Sequence, residues 1–420
     1  MSQPTSGAQN ANERISEEQA FARNSFSPYR FVIIGLMALL LFPGGLNLFV
    51  VGPITPFIIE SYGIGNGQAS LLTSAVFLVQ GILTVPASSL MGRVSLKNLI
   101  AIAGFLGSAP ALSILFTDHF SFLLLLRLFY GLGFAILFST MGPLFLQWCN
   151  PRELTLANGI CILSASIGVA IAGFVSVPLS EEIGWRVTLS FFGASSLFAS
   201  IIWLVYGKEN PSSQKNPNTN DLRNIWSILR SRTTLLIAGC DAGPNALITA
   251  FMAWLPTYYY TAHEIPLSRG GASLGLMALT GLSCVVIVSL ISLRLTKKRP
   301  FLILPGIIVG FAGLGTVFFA ESILVYGFIT VLGVCCWSYL PVLVSYPMEL
   351  YSDDPNRVAV ILAILMAIGG FIGFAAPLIV GVLADITGSF VPSLTILAIG
   401  SWSLLVAGIK LPEPGKARPS

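Results

Sequence analysis

The sequence predicts an all-α membrane protein with twelve transmembrane helices in two six-helix bundles and with both termini cytoplasmic. Three observations carry this expectation. First, 55% of the 420 residues are hydrophobic and 10% are charged, whereas an ordinary soluble domain is about 25% charged. Second, the apolar residues gather in runs of about 20, the length that crosses a bilayer core as a helix. Strands of a membrane barrel are about half as long and alternate in polarity, and these runs do not alternate. Third, the basic residues fall almost entirely on one side of the resulting topology.

Taken in order, the spans are 30–57, 68–90, 97–117, 121–147, 156–180, 187–206, 233–260, 271–292, 300–319, 323–347, 357–382 and 390–410. Residues 1–29 are polar and form a cytoplasmic tail, without the basic start and short apolar stretch of a cleavable signal peptide. The first span holds FPGGLNLFVVGPITP, where Gly44, Gly45, Gly52, Pro53 and Pro56 make a helix breakable. The fourth holds LLLLRLFYGLGFA, an apolar run interrupted by Arg127. The seventh holds GCDAGPNALITAFMAW, with Asp241 inside it, and the tenth holds CCWSYLP. The longest internal polar stretch, YGKENPSSQKNPNTNDLRN at 206–224, is rich in Asn, Ser and Pro and reads as a connection. The chain is thereby divided into a first bundle at 30–206, a cytoplasmic linker at 207–232, a second bundle at 233–410 and a cytoplasmic tail at 411–420.

Orientation follows from lysine and arginine, which favour the cytoplasmic side. With the N terminus inside, nineteen of the 22 fall in inside segments, Arg186 and Arg269 fall outside, and Arg127 alone lies within a span. The net charge of +4 then reflects topology and gives no reason to expect nucleic-acid binding. The two halves echo each other: Gly168 lies 16 residues beyond Arg152, and Gly373 lies 16 beyond Arg357. Arg93 and Lys97 after the second span likewise match Arg294, Lys297, Lys298 and Arg299 after the eighth. Parallel six-helix repeats with a binding site between them at mid-membrane are a transporter architecture. The six cysteines and two histidines show no metal-ligand spacing, so neither a metal nor a cofactor is expected.

These motifs resemble the major facilitator superfamily over nearly the whole chain. RLFYGLG (Arg127, Gly131, Gly133) is similar to the family's fourth-helix motif. PRELTLANG and EEIGWR resemble the segments that flank its fifth helix, and PNRVAVILAILMAIGGFIGFAAPLIVGVLADITGSF resembles its eleventh. The family's loop after helix two normally carries an aspartate where Met91 or Gly92 stands here, although Arg93 and Lys97 remain. Gly173 stands near the proline of the drug antiporters' fifth helix, and no arginine lies inside the second or eighth span as in nitrate carriers. The overall texture is most similar to the cyanate-permease-type branch. The resemblance implies that the first, fourth, seventh and tenth helices line a central cavity.

The candidate site residues lie on those helices. Asp241, Asn245 and Thr249 are spaced i, i+4, i+8 and share one face, with Gly243 and Pro244 between them, where a helix can bend and free a carbonyl. An ionisable residue inside a membrane is a functional candidate by default; the alternative for Asp241 is access to water at the cytoplasmic end, or capping of a broken helix. Arg127, on one face with Tyr130, would bind an anionic group or tune a proton site. Its alternatives are snorkelling to the headgroups or locking helix packing through neighbouring carbonyls. Asn47 places an amide near mid-membrane. Trp337 and Tyr339 could shape the cavity. Tyr258, Tyr259 and Tyr260 read as an interfacial belt first and a gate second. Arg93, Lys97, Arg294, Arg357 and Glu349 are the candidate gating charges, with Glu349, Asp353 and Asp354 expected to pair around Arg357.

The functional expectation is a secondary transporter in the cytoplasmic membrane that moves a small organic solute by alternating access. A proton is its expected coupling ion and the monomer its expected state. A transporter-like receptor or scaffold that no longer transports, and a drug or metabolite exporter, are the alternatives. An enzyme is not expected, because the spans carry no histidine and no HExxH motif.

Overall fold

The computed structural model describes residues 28–83, 94–116, 118–149, 153–209, 227–292, 298–351 and 354–412. The described residues are helical almost throughout, as a chain in lipid must be to satisfy its own backbone groups. Helices α1 (Tyr29–Phe49) and α2 (Val51–Tyr62) make up the first expected span. α3 (Asn66–Leu83), α4 (Leu96–Gly107), a short 3₁₀ turn (Ala109–Leu112) and α5 (Ser113–Phe116) follow. Then come α6 (Phe120–Trp148), α7 (Leu154–Ile183) and α8 (Trp185–Tyr206). The second half holds α9 (Arg232–His263), α10 (Leu267–Ser292), α11 (Pro300–Phe318), α12 (Leu324–Leu350), α13 (Pro355–Thr387), α14 (Val391–Gly400) and α15 (Ser403–Lys410).

Ten stretches among the described residues are long and apolar enough to cross a membrane, with the interrupted Leu96–Leu115 and Val391–Lys410 each counted as one. α3 and α10 occupy the second and eighth expected spans without being among the ten. The expected single helices at 30–57, 97–117 and 390–410 are each broken. In the first, Pro53 offers no N–H to the carbonyl of Phe49 and crowds it, and the helix is interrupted at Val50. Arg93, Arg152, Arg294, Lys297 and Asp353 lie outside the described residues.

Packing follows the small residues. α1 lies against α7, α6 against α3 and α4, and α8 against α1 and α4. In the second half α10 lies against α12, α11 against α12, and α9 against α13 and α15. The α1–α7 seam is backbone on backbone: a Cβ on Gly45 would stand 1.8 Å from the Ala165 carbonyl oxygen, and one on Gly168 would stand 2.2 Å from that of Phe42. Gly45→Ala is therefore expected to lower the unfolding temperature in detergent, at a cost of about 1–3 kcal/mol for overpacking. Gly35→Ala, with nothing within 4 Å of the new carbon, should be neutral or slightly stabilising. Equal behaviour of the two variants would contradict this reading of the seam.

Among the described residues the first half meets the second where α3 lies against α13, α7 against α10, and α2 against α9 and α10. Each again rests on glycine. A Cβ on Gly370 would lie 2.5 Å from the Gly81 Cα, one on Gly173 2.4 Å from the Gly275 nitrogen, and one on Gly52 2.1 Å from the Met252 carbonyl oxygen. Such approaches are how helices associate where lipid supplies no hydrophobic drive. These contacts run from mid-span to the end that carries Asn66 and Gly388. At the other end of the first half, Tyr29 donates its hydroxyl to the Tyr206 carbonyl and Arg30 pairs with Glu153 at 3.1 Å.

Candidate functional site

Asp241 is the centre of a polar cluster built by three helices. Its carboxyl group is 7% exposed. One oxygen accepts a hydrogen bond from the Tyr339 hydroxyl of α12 at 2.8 Å, and the other accepts from the Asn245 amide one turn further along α9 at 3.2 Å. The same Asn245 amide donates to the Gly369 carbonyl of α13 at 3.2 Å. Gly369 is small for a reason: a Cβ there would lie 3.0 Å from Asn245 Nδ2 and 3.4 Å from Asp241 Oδ2. Beside Pro244, the Gly243 N–H is taken by the Ser403 hydroxyl of α15 at 3.0 Å. Both neighbours of the Asp241 carboxyl group are neutral donors. None of the ion pairs among the described residues includes it. A buried carboxylate without a counter-charge is costly.

Thr249, on the same face, turns its hydroxyl back to the Asn245 carbonyl at 2.7 Å. Trp337 lies on α12 two residues before Tyr339 but packs against α10, where a Cβ on Gly281 would lie 2.5 Å from its ring; its indole N–H has no partner among the described residues. Thus Asp241, Asn245 and Tyr339 come together, with Thr249 adjoining, and Trp337 does not join them.

Arg127 is engaged elsewhere. It is 1% exposed, and its guanidinium fans out to three backbone carbonyls: Nε to Leu72 at 2.9 Å, Nη1 to Asn47 at 2.6 Å and Nη2 to Leu48 at 3.1 Å. It also lies over the Tyr130 ring, 5.0 Å from the centroid, while the Tyr130 hydroxyl donates to the Gly44 carbonyl at 2.5 Å. Asn47 and Leu48 form the turn just before the Val50 break, so α6 holds the broken helix by its carbonyls. The Asn47 amide extends the same seam to Pro43 at 2.9 Å and Phe192 at 3.1 Å. Arg127 thus adopts the geometry of its helix-packing alternative, and Tyr130 and Asn47 bond within the same seam. The glycines of the motif serve it: a Cβ on Gly131 would meet Val76 of α3 at 3.0 Å, and one on Gly133 the Ala103 carbonyl of α4 at 2.4 Å.

The gating charges pair differently from expectation. Glu349 bonds to Lys298, not to Arg357, because Lys298 is also held by Ser345 on the same face of α12. Arg357 lies over the Tyr351 ring at 4.0 Å, and the Asp354 side chain caps its backbone N–H at 3.0 Å. Lys97 has no ion pair among the described residues. The tyrosine run is also corrected: Tyr258 and Tyr259 are buried and donate to the Val317 and Thr316 carbonyls of α11, each at 2.9 Å, leaving Tyr260 exposed.

An all-helical chain of many apolar spans, with a polar cluster buried where several helices meet, defines a multi-pass membrane transporter. The family is explicit as well: residues 37–377 match the model of the Major Facilitator Superfamily, and the chain belongs to that family. It is 22% identical over 393 residues to the "Probable sulfoacetate transporter SauU" of Cupriavidus necator, covering 86% of this chain and 89% of that one. It is 26% identical over 365 residues to the cyanate transport protein CynX of Escherichia coli, covering 84% and 91%. An uncharacterised Campylobacter jejuni protein, Cj0987c, is 28% identical over 210 residues, 50% of this chain and 64% of that one. Among solved structures, a bacterial homologue of the human lysosomal transporter Spinster, inward-facing and unoccupied, superposes with a TM-score of 0.71 at 15% identity, covering 92% of this chain and 95% of that chain. That likeness is one of fold.

Proposed function

We propose that the chain is a proton-coupled secondary transporter of a small organic solute, with Asp241 as its coupling group. The observation that carries this reading is a buried carboxyl group held by Tyr339 and Asn245 with no counter-ion among the described residues. A solute that presents a positive group or a hydrogen-bond donor meets the ionised form. A carboxylate or sulfonate, such as the sulfoacetate in the name of one relative, meets the protonated form, so anion and proton travel together. In the same reading twelve spans form two six-helix bundles, 30–206 and 233–410, that rock about the site as monomers. Both termini and the linker lie on the cytoplasmic side of the inner membrane, and the nineteen inside basic residues support that orientation. The seams at the Asn66 end then close the outer face.

A thermal-shift screen against small organic acids, amines and neutral metabolites should identify ligands, which raise the unfolding temperature by mass action. The purified protein in liposomes should then accumulate such a ligand when the outside is made acidic, and a protonophore should abolish the accumulation. Equilibration without accumulation, indifferent to the protonophore, would refute proton coupling.

A further inference from the structure

The end at which the two halves meet carries a contact that the transport site does not use. Asp385, in the last turns of α13, directs both carboxylate oxygens at the first residues of α3. One accepts from the Asn66 backbone N–H at 2.9 Å and from the Asn66 side-chain amide at 2.8 Å; the other accepts from the Gly67 N–H at 2.7 Å. The first turn of any helix has N–H groups without internal partners, and a carboxylate there gains from both the hydrogen bonds and the helix dipole. A helix ordinarily obtains this from the residue that precedes it. Here that residue is Gly65, which has no side chain to offer, and the cap arrives from 318 and 319 residues away.

The surroundings are shaped to admit it. A Cβ on Gly65 would stand 2.8 Å from Asp385 Oδ2, and one on Gly67 would stand 2.9 Å from the Val382 side chain and 3.2 Å from the same carboxylate oxygen. One turn back along α13, a Cβ on Gly381 would lie 2.7 Å from the Asn66 carbonyl. Three glycines thus clear the space in which one acidic side chain crosses from the second half to the first. Asp385 is exposed to solvent, so the contact is one that water can replace, unlike the buried Arg127 clamp.

We infer that Asp385 is a latch of the transport cycle: a helix cap supplied in trans by the other half, present while the Asn66 end is closed and lost when it opens. It sets the balance between the two facing states without touching the Asp241 cluster. This rests on the alternating-access reading. The cap gives the closed state several charge-assisted hydrogen bonds that the open state makes only with water.

The test is a distance measurement across that end. Spin labels at Glu60→Cys and Ala262→Cys, in the full chain with its six native cysteines replaced and reconstituted in lipid nanodiscs, should report a short and a long separation. Asp385→Ala should raise the long population several-fold relative to the unsubstituted background, and Asp385→Asn, which keeps one acceptor oxygen, by less. Because an uncapped α3 could simply unravel, Gly65→Ser in the Asp385→Ala background supplies a local cap. That double variant should regain thermal stability and still favour the long distance. Two distances whose ratio ignores Asp385, or a double variant that returns to the original ratio, would overturn the latch alone. A single short distance in every variant and at every pH would overturn alternating access and the latch with it.

Discussion

Arg127→Lys is expected to be nearly as damaging as Arg127→Met, with each lowering stability by about 2–5 kcal/mol and depleting folded protein in the membrane. The reason is geometric. The guanidinium reaches carbonyls on two other elements in three directions at once, and an ammonium on a flexible stem is a point charge that cannot span them. Loss of the clamp frees the turn before the Val50 break, where Pro53 has already removed one helical hydrogen bond. The measurement is thermal unfolding of the purified variants, alongside an Arg127→Cys chain without other cysteines. A water-soluble thiol reagent should not modify that cysteine in either facing state, because the native side chain lies at a helix seam and is 1% exposed. Rapid modification, or a lysine variant of full stability, would return Arg127 to the cavity as a solute-binding charge.

Asp241→Asn should abolish uphill accumulation, by about a hundredfold or more, while solute exchange across the membrane at equal pH stays within a few-fold of the original. Asparagine keeps the size of the side chain and can still accept from Tyr339, while the bond from the Asn245 amide is given up because only one acceptor oxygen remains. Under the proposed coupling, what is lost is the carboxyl group that carries the proton. Tyr339→Phe removes one donor and leaves the carboxyl group, so a smaller effect of about tenfold is expected, the equivalent of one hydrogen bond at about 1.4 kcal/mol, together with a displaced pH profile. Accumulation in the asparagine variant that still follows pH would place the coupling group elsewhere.

The sequence disclosed the helices and the polar residues inside them, because both are local properties. Asp241 and Asn245 share a face by spacing alone, and Tyr339 is conspicuous in an apolar run. What could not be read was the company each side chain keeps. Every residue owns a carbonyl, so nothing in LLLLRLFYGLGFA announces that Arg127 will bond to carbonyls of α1 and α3. Gly44, Gly45, Gly52, Pro53 and Pro56 signal a breakable helix, and Pro53, four residues beyond Phe49, is the one that marks the break at Val50. Asp385, Gly369 and Ser403 went unnoticed because an acid near a helix end, a glycine in a glycine-rich run and a serine near a terminus are each ordinary on their own. The Lys298–Glu349 pair displaced the expected Arg357 partner because α11 enters against the end of α12, a matter of tertiary packing.

The glycine contacts between the halves also bear on speed. At Gly52, Gly173 and Gly370 the opposing surfaces are main chain and Cα. In the same seams the rings of Phe174 and Phe77 lie against Gly275 and Gly373, so in the alternating-access reading parting the halves withdraws two aromatic side chains from glycine grooves. The barrier to opening then comprises these withdrawals together with the hydrogen bonds at the rim. Substitutions in the lipid-facing helix surfaces should leave the turnover rate nearly unchanged, while one methyl group added at Gly52 would slow it by wedging the joint.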